Sequence, residues 1–279
     1  MSIWLKVPLI IRSIILGFLV STLGVFIWST APLIFPGAWS IAFMAIVLVF
    51  YVLFFGGRLI NNSTQKFRRD NFRSTKFNRF KLKWGIVASI LMALIVQVSL
   101  VLIFRFIEYP EAKFKAEYTF LAQIPKGLAW LFIVMASMVA GICEEVGYRG
   151  YLQTPLEKKH NPLMAILITS IVFVVIHLHQ AWAAPIIPLI FMASVFLGYM
   201  AYCFKSIIPG IIGHIIFDIF NFSYWWSDIL GRFTLRPVSE TGIDLHFIIT
   251  CFVFITSIVF FILINNKVKG SSIQLNDKK

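Results

Sequence analysis

Charge is scarce in this 279-residue chain, at 13% of positions, and acids are scarcer still, with 12 Asp and Glu against 25 Lys and Arg. Soluble domains carry about 25% charged residues. With 59% hydrophobic positions and a mean hydropathy of +0.86, a water-facing surface around a single soluble core is excluded and a multi-span membrane protein is indicated. Only three cysteines occur, Cys143, Cys203 and Cys251. They make an odd number, sit in apolar runs and lack metal-ligand spacing, so they support neither a disulfide framework nor a zinc cluster and read as packing residues. The net charge of +13 could suggest nucleic acid, but the basic residues fall between apolar runs, as orientation in a membrane requires. No nucleic-acid partner is expected. Internal repeats, low-complexity tracts, a Gly-x-Ser-x-Gly segment and a His-Glu-x-x-His helix are all missing.

What is there is a series of long apolar runs. Eight of them approach the roughly 20 residues a helical span needs, near 9–31, 38–57, 84–106, 127–152, 162–181, 184–204, 206–225 and 245–265. Only helices and closed barrels satisfy backbone polar groups in lipid, and these runs lack the alternation of a barrel. The expected fold is all-α, a polytopic transmembrane helical bundle of about eight spans, in one integral membrane domain over 1–279. The first run follows Lys6 and Arg12 as in a signal peptide, yet it continues to about Trp28 without a small-residue cleavage site and reads as a retained span. Trp4, Trp28, Trp39, Trp84, Trp130, Trp182, Trp225 and Trp226 lie near the run ends, where indoles favour the membrane interface.

The segment 58–83 carries Arg58, Lys66, Arg68, Arg69, Arg73, Lys76, Arg79, Lys81 and Lys83 against one acid, Asp70. It reads as a cytoplasmic topology signal, with binding of anionic lipid headgroups as its lesser use. Eight spans then put both termini in the cytoplasm, in agreement with Lys267, Lys269, Lys278 and Lys279. Segments assigned to the outside have mixed charge, such as Glu108, Glu111, Lys113, Lys115 and Glu117, or Asp228, Arg232, Arg236, Glu240 and Asp244. Short loops and the lack of an organelle-targeting signal favour a bacterial plasma membrane.

Against this apolar background, Glu144 and Glu145 stand side by side. Ionisable groups at membrane depth cost a few kcal/mol each and usually face a bundle interior or a wet cavity. Glu145 and Arg149 are one helical turn apart with the acid first, the favourable order for an ion pair. Glu144 is rotated by about 100° from Glu145, and His177 is its expected partner, at similar depth if the two helices form an antiparallel hairpin about the turn at His160 and Asn161. His214, Asp218 and Asn221 follow the spacing i, i+4, i+7 and line one face of another helix. Gly210 and Gly213 read as packing glycines, Gln97 as interhelical glue, His160 and His246 as interfacial groups, and His179 as a residue of the cavity rim.

A carboxylate beside a histidine in a wet membrane cavity can take a proton from water, making a nucleophile for an amide carbonyl, while donors elsewhere hold the oxyanion. Three other uses of these residues stay open. The chain could be a noncatalytic membrane immunity or regulatory scaffold. Glu144, His177 and His214 could supply the three protein ligands of a catalytic zinc. Acids and histidines also form proton relays in transporters, although the paired broken helices of those folds are missing.

These residues resemble the CAAX prenyl protease and bacteriocin-processing family of membrane proteins, also called the Abi family. Its motif Glu-Glu-x-x-x-Arg matches Glu144, Glu145 and Arg149; Phe-x-x-x-His matches Phe173 and His177; His-x-x-x-Asn or Asp matches His214 and Asp218. The motifs occupy about 141–221, in order. The resemblance implies a glutamate-dependent intramembrane endopeptidase without a cofactor, in which Glu144 and His177 activate water and His214 with Asp218 forms the oxyanion side, while Glu145 and Arg149 orient the site. It also implies a membrane-associated peptide or protein substrate. Where relatives have asparagine this chain has Asp218, whose ionised form would repel an oxyanion. Either burial keeps it protonated, or it orients His214, with Asn221 as a helper; the orienting role is the one expected.

Overall fold

The computed structural model describes residues 6–35, 37–74, 78–178, 186–227, 229–230 and 235–276. His179, Trp4, Trp182, Lys76, Asp228, Arg232, Lys278 and Lys279 therefore lie outside the described residues, as do the side chains of Trp28 and Glu117. The elements are α1 (Leu9–Ile34), α2 (Ala38–Phe55), α3 (Gln65–Phe72), α4 (Arg79–Phe106) and the short α5 (Glu111–Lys115), followed by a 3-10 segment (Ala116–Gln123). Next, α6 (Lys126–Glu144) continues as a π-helix (Glu145–Gln153) into α7 (Thr154–Glu157). Then come α8 (Pro162–Ile176), α9 (Ile187–Phe204), α10 (Ile208–Phe220) with a terminal π turn (Asn221–Trp225), α11 (Val238–Thr241) and α12 (Leu245–Asn276).

All of these elements are helical, and the chain is a multi-pass membrane protein. Among the described residues six helical segments are long and apolar enough to cross a bilayer: Leu9–Ala31, Ala38–Phe55, Arg79–Phe106, Lys126–Glu157, Ile187–Phe204 and Leu245–Ser271. The other two expected runs form shorter helices. The described part of the run at 162–181 holds a 15-residue helix, α8, about 22 Å long at 1.5 Å per residue. The run at 206–225 gives 13 residues of α10 before its π turn. Asn161 and Pro162 explain where α8 starts, since the Asn161 side chain accepts the Leu163 N–H at 2.8 Å and proline supplies the first helical residue.

Large apolar side chains such as Leu19 and Phe26 on α1, Ile46 on α2, and Phe252 and Leu263 on α12 are each more than half exposed. In water such a surface would be untenable, but in lipid it is the solvent-matched face. Inside, the helices are joined by close approaches and by polar side chains that satisfy backbone groups. A Cβ on Gly147 would stand 2.7 Å from the Gly17 carbonyl and 2.8 Å from the Ser21 nitrogen, so only glycine lets α1 lie against the π-helix. The Tyr51 hydroxyl lies 3.1 Å from the Val20 carbonyl and 3.3 Å from that of Cys143, which ties α2 to α1 and α6.

The basic segment is more than a topology signal. Arg68, only 4% exposed, donates to the carbonyls of Phe54, Leu59 and Ile60 at 2.6, 3.0 and 2.6 Å. It thus ties the Phe54 carbonyl at the end of α2 to the carbonyls of the turn that follows the helix. Arg73 pairs with Glu157 at 2.9 Å, and Lys267 lies over the Trp84 ring at 4.4 Å. These contacts gather the basic segment, the end of α7 and the end of α12 at one end of the bundle. At the other end, Arg105 pairs with Asp244 at 2.8 Å and meets His246 Nδ1 at 2.9 Å, and the Tyr109 hydroxyl donates to the Trp225 carbonyl. Trp225 and Trp226 are buried at 2% and 7% exposure. They pack among Phe104, Tyr109 and Phe114.

Candidate active site

Glu144 closes α6 and Glu145 opens the π-helix, so the two carboxylates leave the same strand of helix on different bearings. Glu145 is fully buried. Its Oε1 lies 3.0 Å from Arg149 Nη1 and 3.1 Å from His214 Nδ1. The Arg149 contact is a charge pair without hydrogen-bond alignment, since Nη1 has no bonded partner while Nη2 donates to the Ser194 carbonyl and hydroxyl at 3.1 and 2.9 Å. The guanidinium also lies 4.9 Å over the Phe173 ring. Gly210 makes this possible, because a Cβ there would stand 2.7 Å from Glu145 Oε2. The expected ion pair of Glu145 and Arg149 is therefore present, and it reaches further than expected, to His214 and Ser194.

Glu144 takes a different neighbour from the one expected. Among the described residues the imidazole within ion-pair distance of it is His214, whose Nε2 lies 3.8 Å from Glu144 Oε2. Oε2 is buried and has no hydrogen-bond partner. His177 caps α8, and its Nδ1 lies 2.7 Å from the Phe173 carbonyl. A carbonyl can only accept, so Nδ1 carries the hydrogen, and in the neutral ring Nε2 is the acceptor nitrogen. The His177 ring rests on Phe173, with centroids 4.5 Å apart. Phe173, absent from chemical reasoning but present in the sequence pattern, is thus the platform under both Arg149 and His177.

Glu145 also corrects the role expected for Asp218. His214 Nδ1 is held by Glu145 from another helix, while Asp218 Oδ2 lies 3.6 Å from Nε2, outside hydrogen-bonding range. The face of α10 otherwise follows the i, i+4, i+7 spacing. Asn221 is held by Gln97, whose Nε2 donates to Asn221 Oδ1 at 2.8 Å while its Oε1 accepts from Trp225 Nε1 at 3.0 Å. An indole N–H is a donor only. That fixes Oε1 of Gln97 as the acceptor and Nε2 as the donor, which in turn leaves the Asn221 Nδ2 hydrogens for the interior. Nothing in the chain's pattern signalled this relay beyond the isolated polarity of Gln97, nor the part of Ser194.

Glu144, His177, His214, Asp218, Asn221 and Phe173 all line one cavity of about 590 Å³, within the range of about 300–1,000 Å³ found for ligand sites. Its remaining wall is largely apolar and aromatic, including Phe114, Tyr118, Phe217 and Trp226, with Ser21, Thr22 and Ser29 of α1 on one side. Among the described residues no group of three or more His, Cys, Asp or Glu side chains has an arrangement that could hold a metal ion. Cys143 and Cys203 are buried free thiols at 1% exposure, outside the cavity lining. The arrangement can bring a carboxylate, an imidazole and a side-chain amide to one enclosed volume, which suits hydrolysis of a bound carbonyl compound.

No curated protein and no solved structure matches the chain. A family model does, described as type II CAAX prenyl endopeptidase Rce1-like, over residues 126–220. That stretch opens with α6 and ends with α10, and it holds every motif residue from Glu144 to Asp218. The family supports a peptidase working in a membrane, and the six long apolar helices supply the membrane. This chain is a multi-pass membrane protein whose residues 126–220 match the model of the Rce1-like type II CAAX prenyl endopeptidases.

Proposed function

We propose that this protein hydrolyses a peptide bond of a membrane-associated peptide or protein inside the bilayer, with water as the nucleophile and no metal or other cofactor. The observation that carries this reading is the convergence of Glu144, His177, His214 and Asn221 on one cavity, with the Glu144 oxygen that faces His214 left without a hydrogen-bond partner. The Nε2 of neutral His177, an acceptor when Nδ1 carries the hydrogen, receives one hydrogen of the attacking water. The Glu144 carboxylate takes the other as the water oxygen bonds to the carbonyl carbon and the C=O pair moves onto oxygen. Collapse of the tetrahedral intermediate breaks the C–N bond and passes the proton from Glu144 to the leaving amine.

The oxyanion is held by the Asn221 amide and by His214. With Nδ1–H given to Glu145, the Nε2 of His214 donates when the ring is an imidazolium, with the carboxylates of Glu144 and Asp218 at 3.8 and 3.6 Å from that nitrogen. Asp218 thus balances charge beside His214 and does not itself donate. Glu145 and Arg149 are positioning residues. The setting consistent with the basic segments is a bacterial plasma membrane, with both termini of the chain on the cytoplasmic side.

The test compares membrane peptides, by mass spectrometry, from cells carrying the native chain and cells carrying Glu144→Gln or His177→Ala. One or more peptides accumulate uncleaved in both variants while the variant proteins persist in the membrane at native levels. Unchanged peptides with intact variant protein would leave only a noncatalytic scaffold. Treatment of the native membranes with a chelator leaves cleavage unchanged, and its loss with recovery on adding zinc would replace the metal-free reading.

A further inference from the structure

A buried polar atom without a partner costs free energy, and folded chains keep few of them unless a ligand or a reaction uses them. Among the described residues, three such atoms belong to side chains that line the cavity: Glu144 Oε2, the Tyr148 hydroxyl and the Ser21 hydroxyl. Hydrolysis employs the first, and the two hydroxyls have no part in it. Tyr148 is 0% exposed and Ser21 2% or less, at 1%. They are neighbours, yet without the alignment of a hydrogen bond between them. Even in alignment, two hydroxyls would occupy only one of their two hydrogens with each other.

Ser21 also passes over the ordinary local solution. Serine and threonine inside helices can donate to the carbonyl four residues back, as Ser89, Ser99, Ser137 and Thr169 do here at 2.8, 2.6, 2.8 and 2.8 Å. Ser21 makes no such bond. Its place is set by the backbone, because a Cβ on Gly147 would stand 2.8 Å from both the nitrogen and the Cβ of Ser21, so α1 lies directly on the π-helix next to Tyr148. The Tyr148 ring stands edge-on to Phe173, with centroids 5.2 Å apart. Two helices thus each fix a hydroxyl-bearing side chain in the wall of the cavity that holds Glu144.

We infer that Tyr148 and Ser21 form a binding site for the backbone of the substrate peptide, their hydroxyls donating to a carbonyl next to the scissile bond. This rests on the proposed hydrolysis. A peptide held in an enclosed, largely apolar volume brings carbonyls that need donors there. The Glu144 carboxylate is an acceptor only and cannot serve them, and the donors of His214 and Asn221 are taken by the oxyanion. A hydroxyl serves a carbonyl whatever side chain the peptide carries at that position. The site therefore selects an extended backbone, while the aromatic wall meets the apolar side chains.

Tyr148→Phe and Ser21→Ala each remove a hydroxyl and little else, so they separate binding from folding. The purified full chain in detergent is titrated with the capped apolar peptide N-acetyl-trileucine amide in a calorimeter, and its thermal unfolding is measured without peptide. The dissociation constant rises about tenfold in each variant, the scale of one lost hydrogen bond. The unfolding temperature stays at or above native, because an unpaired buried hydroxyl has been removed. A lower unfolding temperature with unchanged affinity would make the hydroxyls structural; equal affinity of native and variant proteins, or no binding by the native protein, would also overturn the site. The peptide profile of Glu144→Gln cells tests the reaction separately. Weakened binding in both hydroxyl variants with an unchanged profile keeps the peptide site and removes the hydrolysis, whereas uncleaved peptides with equal affinities keep the hydrolysis and remove the site.

Discussion

His214 receives its orientation from Glu145, whose Oε1 lies 3.1 Å from Nδ1, and not from Asp218 one turn along its own helix. The adjacent Glu144 stands at the other nitrogen. Two neighbouring acids therefore serve opposite edges of one imidazole, the first facing the cavity and the second facing Arg149.

That division predicts different phenotypes for the same substitution. Glu144→Gln removes one of three carboxylates around His214 and leaves the Glu145–Arg149 pair in place, so its thermal unfolding in detergent stays closer to native than that of Glu145→Gln while peptide cleavage falls by about 10²-fold or more. Glu145→Gln leaves Arg149 without its counter-charge, for a loss of about 3–5 kcal/mol typical of a broken buried pair. Its unfolding temperature and membrane level drop. Equal stability of the two variants would contradict the assignment.

Asp218→Asn retains at least part of the activity, since its carboxylate neither donates nor hydrogen-bonds His214. Asn221→Asp replaces the proposed donor with an acceptor and costs about 10²–10³-fold, the magnitude seen for loss of one oxyanion donor. Turnover of an accumulated peptide substrate in reconstituted membranes, measured for both variants, checks the contrast. A result in which Asp218→Asn is silent in catalysis and Asn221→Asp is fully active would remove Asn221 from the mechanism.

Gly210→Ala pushes a methyl group to 2.7 Å from Glu145 Oε2, with Leu197 as the next neighbour. The carboxylate must shift from His214 and Arg149, so both stability and cleavage fall, by about 1–3 kcal/mol for the overpacking alone. Gly127→Ala is the control, because a Cβ there meets nothing within 4 Å. Thermal unfolding of the two variants side by side gives the comparison.

At the opposite end of the bundle, the hydrogen bonds from Arg105 hold the Asp244 carboxyl down at about 2, against an ordinary value of 3.8. A depressed carboxylate stabilises the fold above its unfolded value, and that contribution is lost as pH falls from about 4 toward 2. Native protein should lose thermal stability in this window more steeply than Asp244→Asn, with unfolding in detergent as the measurement. Parallel pH profiles would show that the Arg105 pair is not linked to folding.

Much of this site was legible because helix periodicity is local. The spacing of Glu145 and Arg149, and of His214, Asp218 and Asn221, fixes shared faces whatever the helices pack against. Depth was legible too, since Glu144 and His177 do line one cavity. Partner choice was not, because it depends on how helices rotate about their own axes. Glu144 therefore meets His214, and Glu145 takes the orienting role expected of Asp218. Helix lengths at α8 and α10 were less legible for another reason, since hydropathy does not distinguish α-helical residues from the apolar turns beside them. Arg68 shows the limit of charge patterning: in sequence it is one cation among nine, and in the fold it caps the carbonyl end of α2.

The nine-residue π-helix from Glu145 to Gln153 is buried along its whole length. Its i→i+5 ladder turns each residue through a smaller angle than an α-helix does. It works as a vernier between two fixed scales, letting Glu145 meet His214 above while Glu157 still meets Arg73 below. Ordinary α geometry, even with every side chain unchanged, would bring only one of those two marks into line.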